Sequence, residues 1–290
     1  MKSLLYILTL SLFIFYSEGR IQGAVRYHCG ADSVKVMQLI EATRESGNAS
    51  MATLGDKIVA AAKSLVGIPL AGAVDNDSIG TLVVRLDSLS RRELVYMAIA
   101  AAKTSQLTAP SLRDFEKNLE DISRKKGVDE GFVSQYLYAA DWVGDNVYRD
   151  NIKEMTEYVE NGNYRTKTLD YVSRHPDQFP AMANPEVADK IKTMEFGFRS
   201  HRIPHLKKHA IGNKNVKELL QNGDIIIMNP NDSDSDVFDI GIVTIENNEP
   251  VLIHIPHGES LVSIDQFPLS RRFKIDGQYF YGFRWLRVKF

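Results

Sequence analysis

From Gly223 onward the chain carries five runs of β-branched and aromatic residues: GDIIIMNP, DVFDIGIVTIE, PVLIHIPH, SLVSID and FYGFRWLRVKF. Each is punctuated by Asn, Asp, Gly or Pro, the pattern of strands separated by turns. Asn247-Asn248 between the second and third runs predicts a hairpin, and so antiparallel pairing. The preceding part has the opposite texture. From about Ala31 to Lys126, SVKVMQLIEATRES, MATLGDKIVAAAKSLVG, SLSRRELVYMAIA and SLRDFEKNLEDISRKKG place apolar residues at helical spacing. In the last of these Leu112, Phe115, Leu119 and Ile122 make the stripe. Gly67 and Pro69 end the second helix in the loop GIPLAGAVD. Helices first and an antiparallel sheet later predict an α+β fold, a helical N-terminal part packed on a C-terminal sheet. The stretch from Val128 to Asn222 is mixed, with one helix expected near Pro185 to Phe198. No repeat or low-complexity linker divides the chain, which predicts one domain over residues 20–290.

The first residues, MKSLLYILTLSLFIFYSEGR, read as a secretory signal peptide over 1–19: Lys2, an apolar run from Leu4 to Tyr16, then Ser17 and Gly19. The run is short of the roughly 20 apolar residues a membrane span needs, so an uncleaved anchor is the weaker reading. An exported protein, periplasmic or extracellular, with no transmembrane segment after cleavage is expected. The formal net charge of −2 provides no basic field for nucleic acid, which is not an expected partner. Cys29 is the single cysteine, so no intrachain disulfide forms, and its place before the first helix predicts an incidental free thiol.

One helix start is unusual. Ser90 and Glu93 fit a capping box, yet Arg91 and Arg92 follow the cap directly. Positive charge there opposes the helix dipole and costs about 0.3–1 kcal/mol per residue unless something compensates.

Taken in order, VGIPLAGAVD, LVVRLDSLSRRELV, SQYLYAADWVGDN, SRHPDQFPAM, NGDIIIMNP, FDIGIVTIE and VLIHIPH resemble the N-acetylmuramoyl-L-alanine amidase-like family, a branch of the NlpC-type papain-fold cell-wall hydrolases. The resemblance spans roughly Ala31 to Arg287 and implies a papain-like (NlpC-type) α+β fold. It also implies a thiolate at a helix N-terminus, where the dipole lowers its pKa. A histidine on a neighbouring strand takes the proton, and a second histidine orients the first. The family pattern has Asp-Cys-Thr-Thr opening the helix, a histidine before Val-Gly-Ile, and a tyrosine in a Gly-Thr-Pro-Tyr loop.

This chain departs at each of those positions. Arg91 stands at the nucleophile position, Asp239 at the base position and Leu70 at the tyrosine; only the orienting histidine is retained, as His254. A permanently protonated guanidinium cannot attack an amide carbon. The two replacements are complementary, which predicts an Arg91–Asp239 ion pair across the former site. The alternative has Arg91 turned to solvent and Asp239 capping a turn. Ser88 and Ser90 flank the lost nucleophile, but Asp239 beside Arg91 is a poor base for a surrogate serine.

The resemblance together with these departures predicts an inactivated relative of peptidoglycan amidases, with no intact catalytic set and no cofactor. Leu70, Ser90 and Trp142 are expected to line its cleft, Trp142 being equally readable as a core aromatic. The occupant is left open between a muropeptide and a protein partner. Two other readings are an amidase with altered machinery and an interaction protein whose cleft is occluded. HRIPHLKKHA spaces His201, His205 and His209 by four, but Pro204 interrupts a helix and no acid joins them; a basic surface loop is expected, not a metal site. NDSDSDVFD lacks the glycine and closing glutamate of a calcium loop and predicts a solvated turn. His257 is read as ordinary surface.

Overall fold

The computed structural model describes residues 25–46, 52–72, 82–127, 131–159, 162–232 and 234–289. The segment read as a signal peptide lies outside them. Strand β1 (Arg26–Tyr27) and helices α1 (Gly30–Glu45) and α2 (Leu54–Ser64) come first, then β2 (Val83–Val84), α3 (Arg91–Ser105) and α4 (Leu112–Ser123). The middle holds α5 (Ala139–Tyr148), β3 (Ile152–Glu154), β4 (Asn163–Lys167), α6 (Tyr171–Arg174), α7 (Pro185–Phe196) and β5 (His201–Lys207). The remainder is α8 (Lys214–Leu219), β6 (Ile225–Pro230), β7 (Asp239–Glu246), β8 (Glu249–His254), β9 (Ser263–Ile264), α9 (Leu269–Ile275) and β10 (Phe280–Val288). The architecture is the expected α+β. Among the described residues one antiparallel sheet runs β4-β5-β10-β6-β7-β8-β9, and β3 adds to β10. No helix among them is long and apolar enough to cross a membrane.

Local chemistry sets the helix starts. Thr53 with Asp56, Ser90 with Glu93 and Ser111 with Asp114 each form a capping box, so α2, α3 and α4 begin where a hydroxyl meets an acid three residues on. Helix α3 is the hub. From Leu94 to Ala102 every residue is buried, because α1, α2 and α4 pack around it and β7 lies beneath. A helix apolar all round is one that has no solvent face.

The central strands are continuous apolar runs for a related reason: both faces of the sheet are covered. Ile225, Ile227, Ile240, Ile242 and Ile253 join the core built by α1 to α4. Ile226, Met228, Val243, Leu252, Phe283 and Trp285 point the other way, into a second core with Leu269 and Phe273 of α9 and Val216 of α8. The β7–β8 hairpin turns on Asn247 and Asn248, both at positive φ (50° and 63°), the two-residue geometry that asparagine tolerates.

HRIPHLKKHA is not a surface loop. His201–Lys207 is strand β5, paired residue by residue with β4. Proline argues against a strand only where two neighbours need its N–H. Strand β10 pairs with Leu206 and Lys207 alone, so at Pro204 β5 has one neighbour.

Candidate functional site

The Ser90–Glu93 box fixes the start of α3 against two other chain segments. Leu89 N–H donates to Pro69 O at 2.8 Å, and Ala71 N–H to Leu89 O at 2.9 Å. Leu70 N–H donates to Ser260 O at 2.7 Å, and across the same seam Gly67 N–H donates to Val262 O at 2.8 Å and Val262 N–H to Ile68 O at 2.9 Å. The loop 67–71, the start of α3 and the segment 260–262 are thereby locked together at the end of the helix that carries Arg91. From the sheet side come Asp239, first residue of β7, and His254, last residue of β8. The register that sets Ile242 opposite Ile253 places these two on one face as diagonal neighbours. Gly241 leaves the room they need: a β-carbon there would sit 2.9 Å from His254 Cβ.

His254 is fully buried and Asp239 is 1% exposed. His254 Nδ1 meets Asp239 Oδ2 at 2.7 Å, and its Nε2 lies 3.4 Å from Asp265 Oδ2. Asp265 is held in turn by Arg272, whose Nη2 donates to Oδ1 at 3.0 Å, and Arg272 reaches Asp276 at 3.5 Å. On the outer side Arg91 Nε lies 3.4 Å from Asp239 Oδ1 and donates to Ile255 O at 3.0 Å. The expected Arg91–Asp239 pair is therefore present, as one link of a longer row: Arg91, Asp239, His254, Asp265, Arg272, Asp276, with cation and carboxyl in alternation. The carbonyl contact, which the sequence did not suggest, takes the guanidinium's direct hydrogen bond.

Burial works against charge on His254, but Asp239 and Asp265 outweigh it and raise its pKa to about 9. Burial likewise opposes the charge on Asp265, and donors from His254, Arg272 and the Phe267 N–H overcome it, holding this carboxyl well below its usual range. Asp276, at the buried end, is pushed up by desolvation. Near neutral pH His254 is an imidazolium between two carboxylates, with no lone pair to accept a proton.

The other predicted residues fall as follows. Leu70 and Ser90 are half-buried at the seam beside Arg91. Ser90 Oγ is engaged as the α3 cap, accepting from Glu93 N–H at 3.2 Å. Trp142 does not line a cleft: it is 1% exposed, packs against Tyr96 and donates its indole N–H to Ile122 O at 2.9 Å. It anchors α5 to the helical core. Cys29 is a free, exposed thiol that caps α1 and donates to Asp32 Oδ2 at 3.2 Å. His254 has its nitrogens toward Asp239 and Asp265, so imidazole and thiol do not meet. His257 is exposed, its ring against Phe238 and Tyr279.

The aspartate run before β7 is a turn, as expected, but not wholly solvated. Asp232 Oδ1 accepts from the N–H groups of Asp234 and Ser235, while Asp236 is buried and accepts from Ala140 N–H at 2.6 Å, at the start of α5. The loop's carbonyls are gathered by an ammonium: Lys167 Nζ donates to Pro230, Asp232 and Ser235 at 3.1, 2.6 and 2.7 Å. Asp265, Arg272 and Lys167 are the polar residues that sequence reasoning missed. The only hint for the first two is an acid closing the SLVSID run, followed within seven residues by RR.

Residues 67–274, which hold Arg91, Asp239, His254, Asp265 and Arg272, match the N-acetylmuramoyl-L-alanine amidase-like family, and the chain belongs to it. A crystal structure of an N-acetylmuramoyl-L-alanine amidase from Bacteroides uniformis superposes with a TM-score of 0.72 at 26% identity, over 82% of this chain and 100% of that one. A Bacteroides fragilis protein, provisionally a xylanase, gives 0.70 at 25% identity over 78% and 98%. A Legionella pneumophila protein of the DUF1460 family shares the fold at 14% identity, with a TM-score of 0.65 over 88% and 94%. No curated protein matches the chain.

Proposed function

We propose that this chain is an exported, non-catalytic member of its family that binds a cell-wall muropeptide at the α3 seam. The observation that carries the reading is the row of charges from Arg91 to Asp276. By the resemblance, Arg91 stands where a thiol is needed and Asp239 where a base is needed. Amide hydrolysis asks for a nucleophile within reach of a group that can take its proton. Arg91 remains protonated, Ser90 is engaged as a helix cap and His254 is a buried imidazolium. Family membership supports the ligand class. Arg91, whose side chain is 28% exposed, supplies a cation that a stem-peptide carboxylate could meet. Lys2 and the Leu4–Tyr16 run support export to the compartment where that ligand occurs.

The test is incubation of the purified protein with peptidoglycan, mass analysis of soluble products and calorimetric titration with muropeptides. Binding without turnover is expected, and an Arg91→Ala variant is expected to bind less. Release of cleaved fragments would overturn the reading. An Arg91→Cys, Asp239→His double variant is expected to recover some cleavage if the surrounding site is intact. The complete burial of His254 favours one second reading, an interaction protein with a closed cleft. That reading predicts no muropeptide binding at all.

A further inference from the structure

The sheet carries a second concavity, whose lining shares no residue with the Arg91–His254 row. Arg165 of β4 and His205 and Lys207 of β5 alternate along their strands, and the register that places Asn163 opposite His205 puts them on one face. Strand β10 borders it, next to β5. Its Gly282 lies opposite Lys207, and a β-carbon there would come within 2.6 Å of His205 Cδ2 and 2.5 Å of Leu206 O. Glycine is what lets the imidazole lie over the strand. Tyr281, Lys208 and His209 help complete a groove of about 490 Å³.

No carboxylate lines it, and among the described residues none lies within ion-pair distance of Lys207 or Lys208; Arg165 also borders the adjoining pocket that Asp170, Asp232 and Asp234 line. That distinguishes the two lysines from Arg149, Arg174, Arg272, Arg284 and Arg287, each of which holds a carboxylate within 3.2 Å. The contacts that hold the groove's cations in place carry no formal charge. Arg165 stacks 4.3 Å above the Tyr281 ring and donates to Asn231 O at 3.3 Å, and Lys208 donates to Gly277 O. Beneath them His205, 8% exposed, keeps an Nδ1 with no hydrogen-bond partner among the described residues, and the Tyr281 hydroxyl is in the same position. Burial, with Arg165 and Lys207 nearby, pushes the His205 imidazole below its ordinary range.

From this arrangement we infer that the groove binds a phosphate-bearing ligand. Three cations gathered in one groove are poorly matched by a carboxylate, which brings one charge. A phosphate monoester or a run of closely spaced phosphates brings two or more, and presents the oxygens that a stacked guanidinium engages in pairs. A small phosphorylated molecule and a phosphate polymer share this chemistry.

Calorimetric titration of the full chain with inorganic phosphate, polyphosphate and poly-glutamate separates the cases. Polyphosphate is expected to bind at least roughly tenfold more tightly than poly-glutamate of equal charge, and more weakly as salt rises. Binding of inorganic phosphate as well would identify a single-phosphate site; binding of polyphosphate alone would identify a polymer site. Arg165→Gln with Lys207→Gln is expected to weaken binding roughly tenfold or more, whereas Lys117→Gln, exposed on α4, is expected to change nothing. Should the double variant unfold early, the exposed Lys207→Gln alone decides. No binding of either phosphate probe, equal affinity for poly-glutamate, or full affinity in a folded variant would overturn the assignment.

Discussion

His254 is the residue whose protonation the fold controls most tightly, and its linkage to stability has a definite sign. Its pKa rises from 6.5 in the unfolded chain to about 9 in the folded one, so the native state binds the proton more strongly. The stabilisation from the imidazolium is complete below about pH 6.5 and is lost as pH climbs through 9. Asp265 behaves oppositely: its carboxyl is depressed from 3.8, so its contribution is present above that value and is lost on acidification. Thermal unfolding is therefore expected to be most resistant between about pH 4 and 6.5 and to weaken toward pH 10. A His254→Gln variant should start less stable and lose that alkaline slope; a slope unchanged in the variant would mean that other groups cause it. Asp265→Asn removes a charged acceptor from both His254 and Arg272, and is expected to cost about 1.5–3 kcal/mol or more in urea unfolding. An unchanged midpoint would show the row to be energetically idle. Part of this row is legible in the sequence because Arg91 and Asp239 are a complementary exchange at two related positions. Asp265 and Arg272 are not, because nothing in a strand-ending acid announces which buried cation it will face.

At the scale of elements, the packing of α2 against the turn before β6 reverses a propensity rule. Alanine in a helix is normally favoured over glycine by about 1 kcal/mol. Gly55 sits in the first turn of α2, where a β-carbon would lie 2.0 Å from Asn222 O, and a β-carbon on the residue after Asn222, Gly223 at φ +80°, would lie 2.4 Å from Gly55 Cα. Both obstacles are backbone, which cannot swing aside. Gly55→Ala is therefore expected to destabilise the protein by about 1–3 kcal/mol, measured by urea unfolding, where propensity alone predicts a gain. A stabilised variant would mean that the turn can move away. The same contrast between local and remote causes separates the elements that the sequence disclosed from those that it hid. The helix starts and the Asn247-Asn248 hairpin depend on residues within four positions, and were readable. Strand β5 depends on β4, 34 to 42 residues earlier by its outermost register pairs, and on the far C-terminal β10, and its proline and histidines read locally as a loop.

For the molecule as a whole, the covering of both sheet faces makes each layer depend on the other. The core on one side contains residues of α1 to α4 together with Ile225, Ile240 and Ile253, so the helical half cannot bury its apolar surface without the strands. The core on the other side uses alternate residues of those same strands. The chain has two tryptophans, and they fall one in each core: Trp142 with the helices, Trp285 under α9. Trp142→Phe and Trp285→Phe thus give two proteins in which fluorescence reports one layer at a time. If the layers form one cooperative unit, each variant's fluorescence and far-ultraviolet circular dichroism transitions in urea will share a midpoint, as two-state unfolding requires. Comparison within each variant is needed because Trp285 also donates to Asp224 Oδ2 at 2.8 Å, so its loss alone lowers stability. A fluorescence midpoint well separated from the circular dichroism midpoint in either protein would mean that helices and sheet unfold independently. The seam that holds Arg91 against Asp239 would then lie between two units, not inside one.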